Sequence, residues 1–435
     1  MPRKKKQEDT GAGVSRLNAN LSRELGKTGL KQYSGRLDEE FLQSLKGDRG
    51  LKAFREMSEN DPVVSSMLFA IEMLIRQVSW DVEPAGTEKE HVGDAEFLES
   101  CLWDMDTPFT EIVSEILTML PFGFSLHELV YKVRRGMSAK ISSQHDDGKI
   151  GWRRLPIRAQ DTIDRWEFGE GGDTLAVVQV APPDFHEVTI PAEKFINFRT
   201  TCRRGNPEGR SVLRGAYRPW WFKKRIEEFE AIGVERDICG IPFATVPVEL
   251  LYDGAGAREK ALLAEIQKIV RNIRMDSQVG VVFPAVYDDG GNLLYDLKLL
   301  SSAGTKQFDT SKILTRYDQR IAMTVLADFI LLGHEKVGSF ALASSKTEIF
   351  ATALGAWCDT IAETFNRDAI PRLMEINGRS APYPNLVHGD IESPDLAELG
   401  AYITALAGAG AELFPDDKLE RHLRRVASLP EPEKE

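Results

Sequence analysis

The chain has 435 residues and a net charge of −12, with 67 acidic residues against 55 basic ones. Such acidity argues against a protein that wraps nucleic acid tightly, because phosphate neutralisation supplies most of that affinity. The four cysteines, Cys101, Cys202, Cys239 and Cys358, form no CxxC and no zinc spacing with histidine, which argues against a disulfide scaffold or zinc finger and suits a reducing compartment.

Residues 1–35 are polar, charged and rich in Gly, Ser, Lys and Arg, and they read as a disordered arm. The start, MPRKKKQEDT, does not read as a signal peptide. The first strong helix is DPVVSSMLFAIEMLIRQVSW, with Asp61 as N-cap and Pro62 at the first helical position. Val64, Met67, Leu68, Ile71, Leu74, Ile75 and Val78 form its apolar stripe. WDVEPAG reads as a short strand, 90–104 and 110–119 as helices. From 124 to 200 the pattern changes to short strands: FSLHELVYKVRRG as one, then WRRLPIRA, RWEFG, LAVVQVA, HEVTIP and FINFRT, with a turn at Gly171–Gly172.

Ser211 is expected to cap a helix running to about Asp237, in which Pro219 either kinks the helix or marks a new start. IPFATVPVEL is strand-like, Ala257–Asn272 a clean amphipathic helix, and VGVVFPAVYDDGGNLLYDLKLL a hairpin around Asp289-Gly290-Gly291. Thr305–Leu332 reads as a helix, glycines and serines break the pattern up to Ser345, and Lys346–Glu375 resumes with Phe350, Leu354, Trp357, Ile361 and Phe365 as its stripe. Two short helices over 394–427 and a disordered tail close the chain. The most apolar run, IAMTVLADFILL, is too short to span a bilayer and holds Asp328, so no membrane association is expected and the chain reads as soluble and intracellular, or assembled there.

No catalytic pattern stands out. GKT at 26–28 lacks the earlier phosphate-loop glycine, that position being Leu21. GAGAREKA at 254–261 reads as a loop before a helix, and DFHE at 184–187 as a polar turn. His127-Glu128 lies in a strand, where neighbours face opposite sides, and His388 and Asp390 read as loop residues. No cofactor or metal is expected.

Four segments resemble, in order, the portal proteins of tailed phages, particularly the Mu-like branch. They are DPVVSSMLFAIEMLIRQVSWDVEP, EGRSVLRGAYRPWWFKKRIEEFEAIGVERDICGIPFA, ILTRYDQRIAMTVLADFILLG with GSFALASSKTEIF, and FNRDAIPRLMEINGR. The resemblance implies an α+β subunit with long stem helices, a β-α-β-β clip and a mixed α/β wing, assembling into a ring of about a dozen copies. After the arm at 1–35, it divides the chain into wing 36–205, stem 206–238, clip 239–302, stem 303–332, tunnel loop 333–345, wing helix 346–390 and a short crown-like end 391–435.

The ring would sit at a capsid vertex of the virion, assembled in the host bacterial cytoplasm. Its implied partners are major capsid and scaffold proteins, the terminase packaging motor, a head-tail adaptor and double-stranded DNA held by weak, sequence-independent contact. His334, Lys336, Ser339 and Lys346 become candidates for the channel-facing loop. Tyr217, Trp220, Trp221 and Phe222 become packing or interface anchors rather than base-stacking groups. Arg218, Lys223, Lys224, Arg225, Glu227 and Glu228 become candidates for charge pairing between subunits. The rival readings are a metal-dependent nucleic-acid-processing enzyme and another structural head-tail connector.

Overall fold

The computed structural model describes residues 26–239, 241–252, 254–272, 286–287, 290–291, 293–300, 309–325, 340–389, 391, 401, 404–405 and 420. The expected arm up to residue 25, most of the first run of the 279–300 hairpin and nearly all of the two C-terminal helices lie outside these residues. The chain divides into two compact units: Met1–Tyr217 with Ile321–Glu435, and Arg218–Arg320 inserted between them.

The first unit opens with a hairpin of β1 (Gln32–Tyr33) and β2 (Arg36–Leu37). It turns through Ser34 and Gly35 at positive φ. A side chain at Gly35 would put Cβ 2.2 Å from the Trp166 carbonyl oxygen, so glycine is required where the hairpin meets that strand. Next come α1 (Asp48–Asn60) and α2 (Pro62–Arg76). Asp61 caps α2 as expected, accepting from the Val63 and Val64 N–H groups at 3.0 and 3.1 Å. The buried ridge of α2 runs through Val64, Met67, Ile71 and Ile75 to Val78, and Leu74 falls off it into solvent.

β3 (Trp80–Glu83), α3 (Lys89–Trp103), α4 (Phe109–Ile116) and α5 (Met119–Phe122) follow. Residues 124–133 form two strands rather than the single one expected, β4 (Phe124–Glu128) and β5 (Val130–Val133). Leu129 between them is fully buried, and its N–H donates to the Lys194 carbonyl at 2.7 Å, which moves the chain from one sheet to the next. Then come β6 (Ile150–Arg154), β7 (Ile157–Arg158), β8 (Ile163–Phe168), β9 (Thr174–Val180), β10 (Glu187–Pro191) and β11 (Phe195–Arg199). β4 lies between β11 and β7, β5 pairs with β6, and β8, β9 and β10 form a meander, every pairing antiparallel.

The inserted unit holds α6 (Tyr217–Cys239), β12 (Ile241–Thr245), α7 (Ala257–Asn272), β13 (Asp296–Leu300) and α8 (Thr310–Ala322). α6 starts and α8 ends one or two residues inside the first unit. β12 pairs antiparallel with β13, and an isolated bridge between Tyr287 and Leu293 marks the expected turn. α8 runs into a 3-10 turn at Met323–Val325, and the remaining part of the expected 305–332 helix lies outside the described residues.

The first unit resumes with α9 (Phe340–Thr364), six residues earlier than the glycine- and serine-rich break suggests. Alanine and leucine among those residues keep the helix going where serine alone would favour a turn. A π-helical turn, Phe365–Ala369, and α10 (Ile370–Ile376) continue it, and β14 (Asn385–His388) pairs with β3. His388 is therefore a strand residue, not a loop residue as expected. Cys358 takes the buried position on α9 that the sequence pattern assigns to Trp357, because Phe350, Leu354, Cys358, Ile361 and Phe365 keep to the helical period. Phe365 packs against Phe109 of α4, Trp152 of β6 and Phe198 of β11, at 5.7, 6.2 and 5.4 Å between ring centres. A second core gathers Phe124, Leu126, Trp166, Val177, Ile190 and Phe195.

Candidate functional site

The segment that introduces α6 explains its own glycine, serine and leucine. Gly209 (φ +56°) backs onto Gly123 (φ +100°): a Cβ on Gly209 would lie 2.3 Å from the Gly123 carbonyl oxygen. Ser211 Oγ accepts the Leu213 N–H at 3.0 Å. It caps a 3-10 turn, Val212–Arg214, and not the long helix expected of it. Leu213 is fully buried beneath that turn. α6 starts afresh at Tyr217, and Pro219 falls at its third position. A missing N–H is harmless there, since first-turn N–H groups have no helical acceptor. Pro219 thus marks a new start and not a kink.

Within the inserted unit α6 and α8 pair side by side. The Phe222 ring stacks on Tyr317 at 6.2 Å and 20°. Lys223 Nζ reaches Asp318 Oδ1 at 2.7 Å, and the Thr310 hydroxyl donates to Glu230. The partners step backwards along α8 as α6 advances, so the two helices are antiparallel. The cations of α6 lie over its own rings one turn away: Arg218 over Phe222 at 5.8 Å, Lys224 over Trp220 at 5.6 Å and Arg225 over Trp221 at 5.4 Å. Arg316 and Arg320 lie over Tyr317 in the same way. Trp221, Phe222 and Tyr317 thus form a run of rings with guanidinium groups laid on it.

The residues that the sequence singles out are therefore not equivalent. Trp220 is buried and Tyr217 half-buried, while Trp221 and Phe222 remain exposed. Lys223 is buried against Asp318, and Arg225 pairs with Glu228 at 3.1 Å on its own helix. Glu227 is exposed. Phe229 and Ile232 continue the exposed stripe and escape the sequence reading, although the three-and-four spacing from Phe222 is the signal for them. His334, Lys336 and Ser339 lie outside the described residues, and Lys346 is a helical residue of α9.

Among the described residues no group of His, Cys, Asp and Glu is arranged to hold a metal ion. His127 is fully buried, with Nδ1 2.9 Å from the Leu155 carbonyl and Nε2 2.8 Å from Ser125 Oγ. Burial pushes its pKa down to about 4, so it is a neutral core group. Burial drives the thiols of Cys101 and Cys358 up to about 11 and about 12, far from reactive thiolates. In DFHE, Glu187 is the first residue of β10 and pairs with Arg165 at 2.8 Å. A cleft of about 670 Å3 in the first unit is lined in part by three ion pairs: Glu40 with Arg214, Arg36 with Asp164, and Lys46 with Asp38. Glu208, at its edge, accepts from Trp166 Nε1 at 3.1 Å, and burial pushes its carboxyl up. These contacts hold the fold together, and the one hydroxyl–imidazole pair among them, Ser125 with His127, is fully buried.

Comparison with known proteins decides between the readings. Residues 51–424 match the family described as the portal protein of Mu bacteriophage. The chain belongs to that portal family. Its fold is similar to a chain of the native gene transfer agent virion, with a TM-score of 0.51, 13% identity, and 96% of this chain and 99% of that one covered. A chain from the neck of an empty gene transfer agent particle, computed with C6 symmetry, aligns with a TM-score of 0.50 at 12% identity, covering 87% of this chain and 94% of the other. A portal protein of the HK97 phage family from Corynebacterium diphtheriae aligns with a TM-score of 0.43 at 12% identity, covering 80% and 96%.

The segment FNRDAIPRLMEINGR, one of those that resemble portal proteins, fastens helix to sheet. Asn366 in the π turn gives Nδ2 to the Leu386 carbonyl at 2.9 Å and accepts the Leu386 N–H at 2.7 Å. Asn377 does the same to Ile150 of β6, at 2.8 and 2.9 Å. Arg372 between them donates to the Phe195 carbonyl of β11 at 2.7 Å. Each amide imitates a neighbouring strand, so three strands of the portal's first unit are fixed to one helix. Sequence pattern alone cannot assign this role, because the partners are far away along the chain.

Proposed function

We propose that this portal protein forms a ring of about a dozen copies at one capsid vertex of a tailed phage or prophage, and that DNA passes through the ring during packaging and ejection. The observation that carries this reading is the family match over most of the chain. The inserted unit supports it: an antiparallel helix pair leaves and rejoins the first unit and bears a small sheet and one further helix. In this reading α6 and α8 are the stem, residues 239–302 the clip, and 36–205 with 346–390 the wing. The likeness to a chain from a rotationally symmetric neck is in keeping with it.

The ring would serve as the docking platform for the terminase motor, the head-tail adaptor, and the capsid and scaffold proteins, and would assemble in the bacterial cytoplasm. Its role is structural, without catalysis or cofactor. A conduit must let DNA slide, and an acidic chain with few basic residues at the constriction satisfies that need. His334, Lys336, Ser339 and Lys346 are the residues assigned to the constriction. Among the described residues no helix is long and apolar enough to cross a membrane.

Native mass measurement with negative-stain class averages tests the reading. A closed ring of about a dozen subunits with a central hole is the expected result. A monodisperse monomer or dimer at every concentration, together with divalent-metal-dependent nuclease activity, would replace the portal reading with the enzymatic one. In a packaging assay, Lys336→Ala with Lys346→Ala should lower DNA translocation while leaving the ring intact.

A further inference from the structure

β14 is fastened to α9 and its π turn at two points that differ in kind. Asn366 bonds to both backbone groups of Leu386 through an amide, which carries a donor and an acceptor at every pH. Two residues further along the strand, the His388 ring meets two oxygens at once. Nδ1 lies 2.8 Å from the Gly389 carbonyl oxygen, and Nε2 lies 3.0 Å from Asp359 Oδ1 on α9. A carbonyl and a carboxylate are both acceptors, whereas a neutral imidazole has a single N–H. The neutral ring can serve one oxygen and must turn a lone pair towards the other. Both contacts hold together only when the pair carries a second proton, and imidazole is ordinarily a stronger base than carboxylate.

We infer that His388 and Asp359 form a proton-dependent clasp between β14 and α9, closed when the ring is charged and open when it is neutral. The surroundings suit that role. The His388 side chain is 17% exposed and that of Asp359 69%, so solvent can exchange protons with a ring that is otherwise enclosed. Trp80, the register partner of His388 on β3, holds the ring from one side, with 5.9 Å between ring centres at 62°. Asp81 and Glu83 alternate onto the opposite face of β3. Glu363 stands one turn beyond Asp359 on α9, and Arg367 of the π turn is paired with Asp368 at 2.8 Å. Histidine ordinarily changes charge between about pH 5 and 8. The clasp therefore strengthens the α9–β14 seam at low pH and is lost as pH rises through the titration of the ring. Buried His127 has the opposite sign, because its folded form is the neutral one. Unfolding of the whole chain sums the two effects, so the clasp has to be read locally. The inference stands independently of the portal reading and adds to the protein a seam whose strength follows pH.

Amide hydrogen exchange on the purified full chain tests the clasp, at about pH 5.5 and about pH 8 and corrected for the intrinsic pH dependence of exchange. Peptides over 380–389 should be protected roughly fivefold more at the lower pH, while those from β4 and β11 show no such difference. His388→Leu should remove the difference and leave β14 exchanging at the faster rate at both values. Asp359→Asn is the sharper variant. Its amide can accept from the charged ring and donate to the neutral one, so β14 should stay slow at both values. Equal protection of β14 in the parent at the two values would overturn the inference. So would a pH difference that persists in Asp359→Asn, because it would assign the effect to another group.

Discussion

Glu40 and Arg214, 174 residues apart, form a two-point ion pair, with Nε to Oε2 at 2.5 Å and Nη2 to Oε1 at 2.9 Å. The pair ties the segment after the first hairpin to the 3-10 turn just before α6. Arg214 also lies over the Phe41 ring at 5.3 Å. Burial pushes the Glu40 carboxyl up, but hydrogen bonds from Arg214 and from the Leu42 N–H outweigh it and hold the carboxyl below its ordinary value. Arg214→Lys keeps the charge and loses the fork, and should cost about 1.5–3 kcal/mol in urea unfolding. Because the folded carboxyl is the stronger acid, this contribution is complete above the ordinary glutamate range and is lost as pH falls through the folded value. If Arg214→Lys left the protein as stable as the parent at pH 7, the pair would be only a surface contact.

Gly209 and Gly123 meet back to back at positive φ, where no side chain fits either backbone. The atom facing a Cβ on Gly209 is a backbone carbonyl, which cannot swing away as a side-chain tip would. Gly209→Ala should therefore destabilise the first unit by about 2–3 kcal/mol, combining left-handed strain with the forced shift. Gly172→Ala is the control: it has the same sign of φ, at +91°, and open space around it, so only the conformational part should appear in the thermal midpoint.

His127 predicts the response to acid. Its pKa is about 4 in the folded chain, against 6.5 for an ordinary imidazole. Between these values the unfolded chain binds a proton that the folded one refuses, so stability rises with pH in that window. It is complete above about pH 6.5 and declines by about 3 kcal/mol as pH falls towards 4. His127→Gln, which can bond to both the Leu155 carbonyl and Ser125, should flatten urea midpoints compared at pH 7.5 and pH 5. A parent protein with equal midpoints at the two values would contradict a neutral buried imidazole.

What the sequence makes legible follows how local each signal is. Asp61 with Pro62, the Ala257–Asn272 helix and the Gly171–Gly172 turn are written in a few neighbouring residues, and the structure agrees with them. The two-strand division at Leu129 depends on the Lys194 carbonyl, and the strand at His388 depends on Trp80, so neither is visible locally. On α6 the pattern identifies an aromatic and basic helix but cannot separate buried Trp220 and Lys223 from exposed Trp221 and Phe222. For Lys223 that distinction is set by α8, nearly a hundred residues later. Phe229 and Ile232 are easily overlooked because the glutamates around them suggest a solvated face.

Lys223 and Asp318 give the last test, because they join α6 to α8 directly. Lys223 is buried, and its ammonium lies 2.7 Å from a carboxylate whose side chain is only 27% exposed. Lys223→Met leaves that carboxylate facing an apolar chain and should cost about 1–3 kcal/mol, the lower end of what breaking a buried pair entails, since Asp318 retains some solvent. Asp318→Asn alone should cost less, because the amide oxygen still accepts from the ammonium. The double variant Lys223→Met with Asp318→Leu should recover much of the loss, as two packed apolar chains replace the pair. Hydrogen exchange across 310–322 in the purified protein reads this directly. Exchange that is equally slow in the parent and in Lys223→Met would mean that the stacked Phe222–Tyr317 rings, not the ion pair, hold α6 to α8.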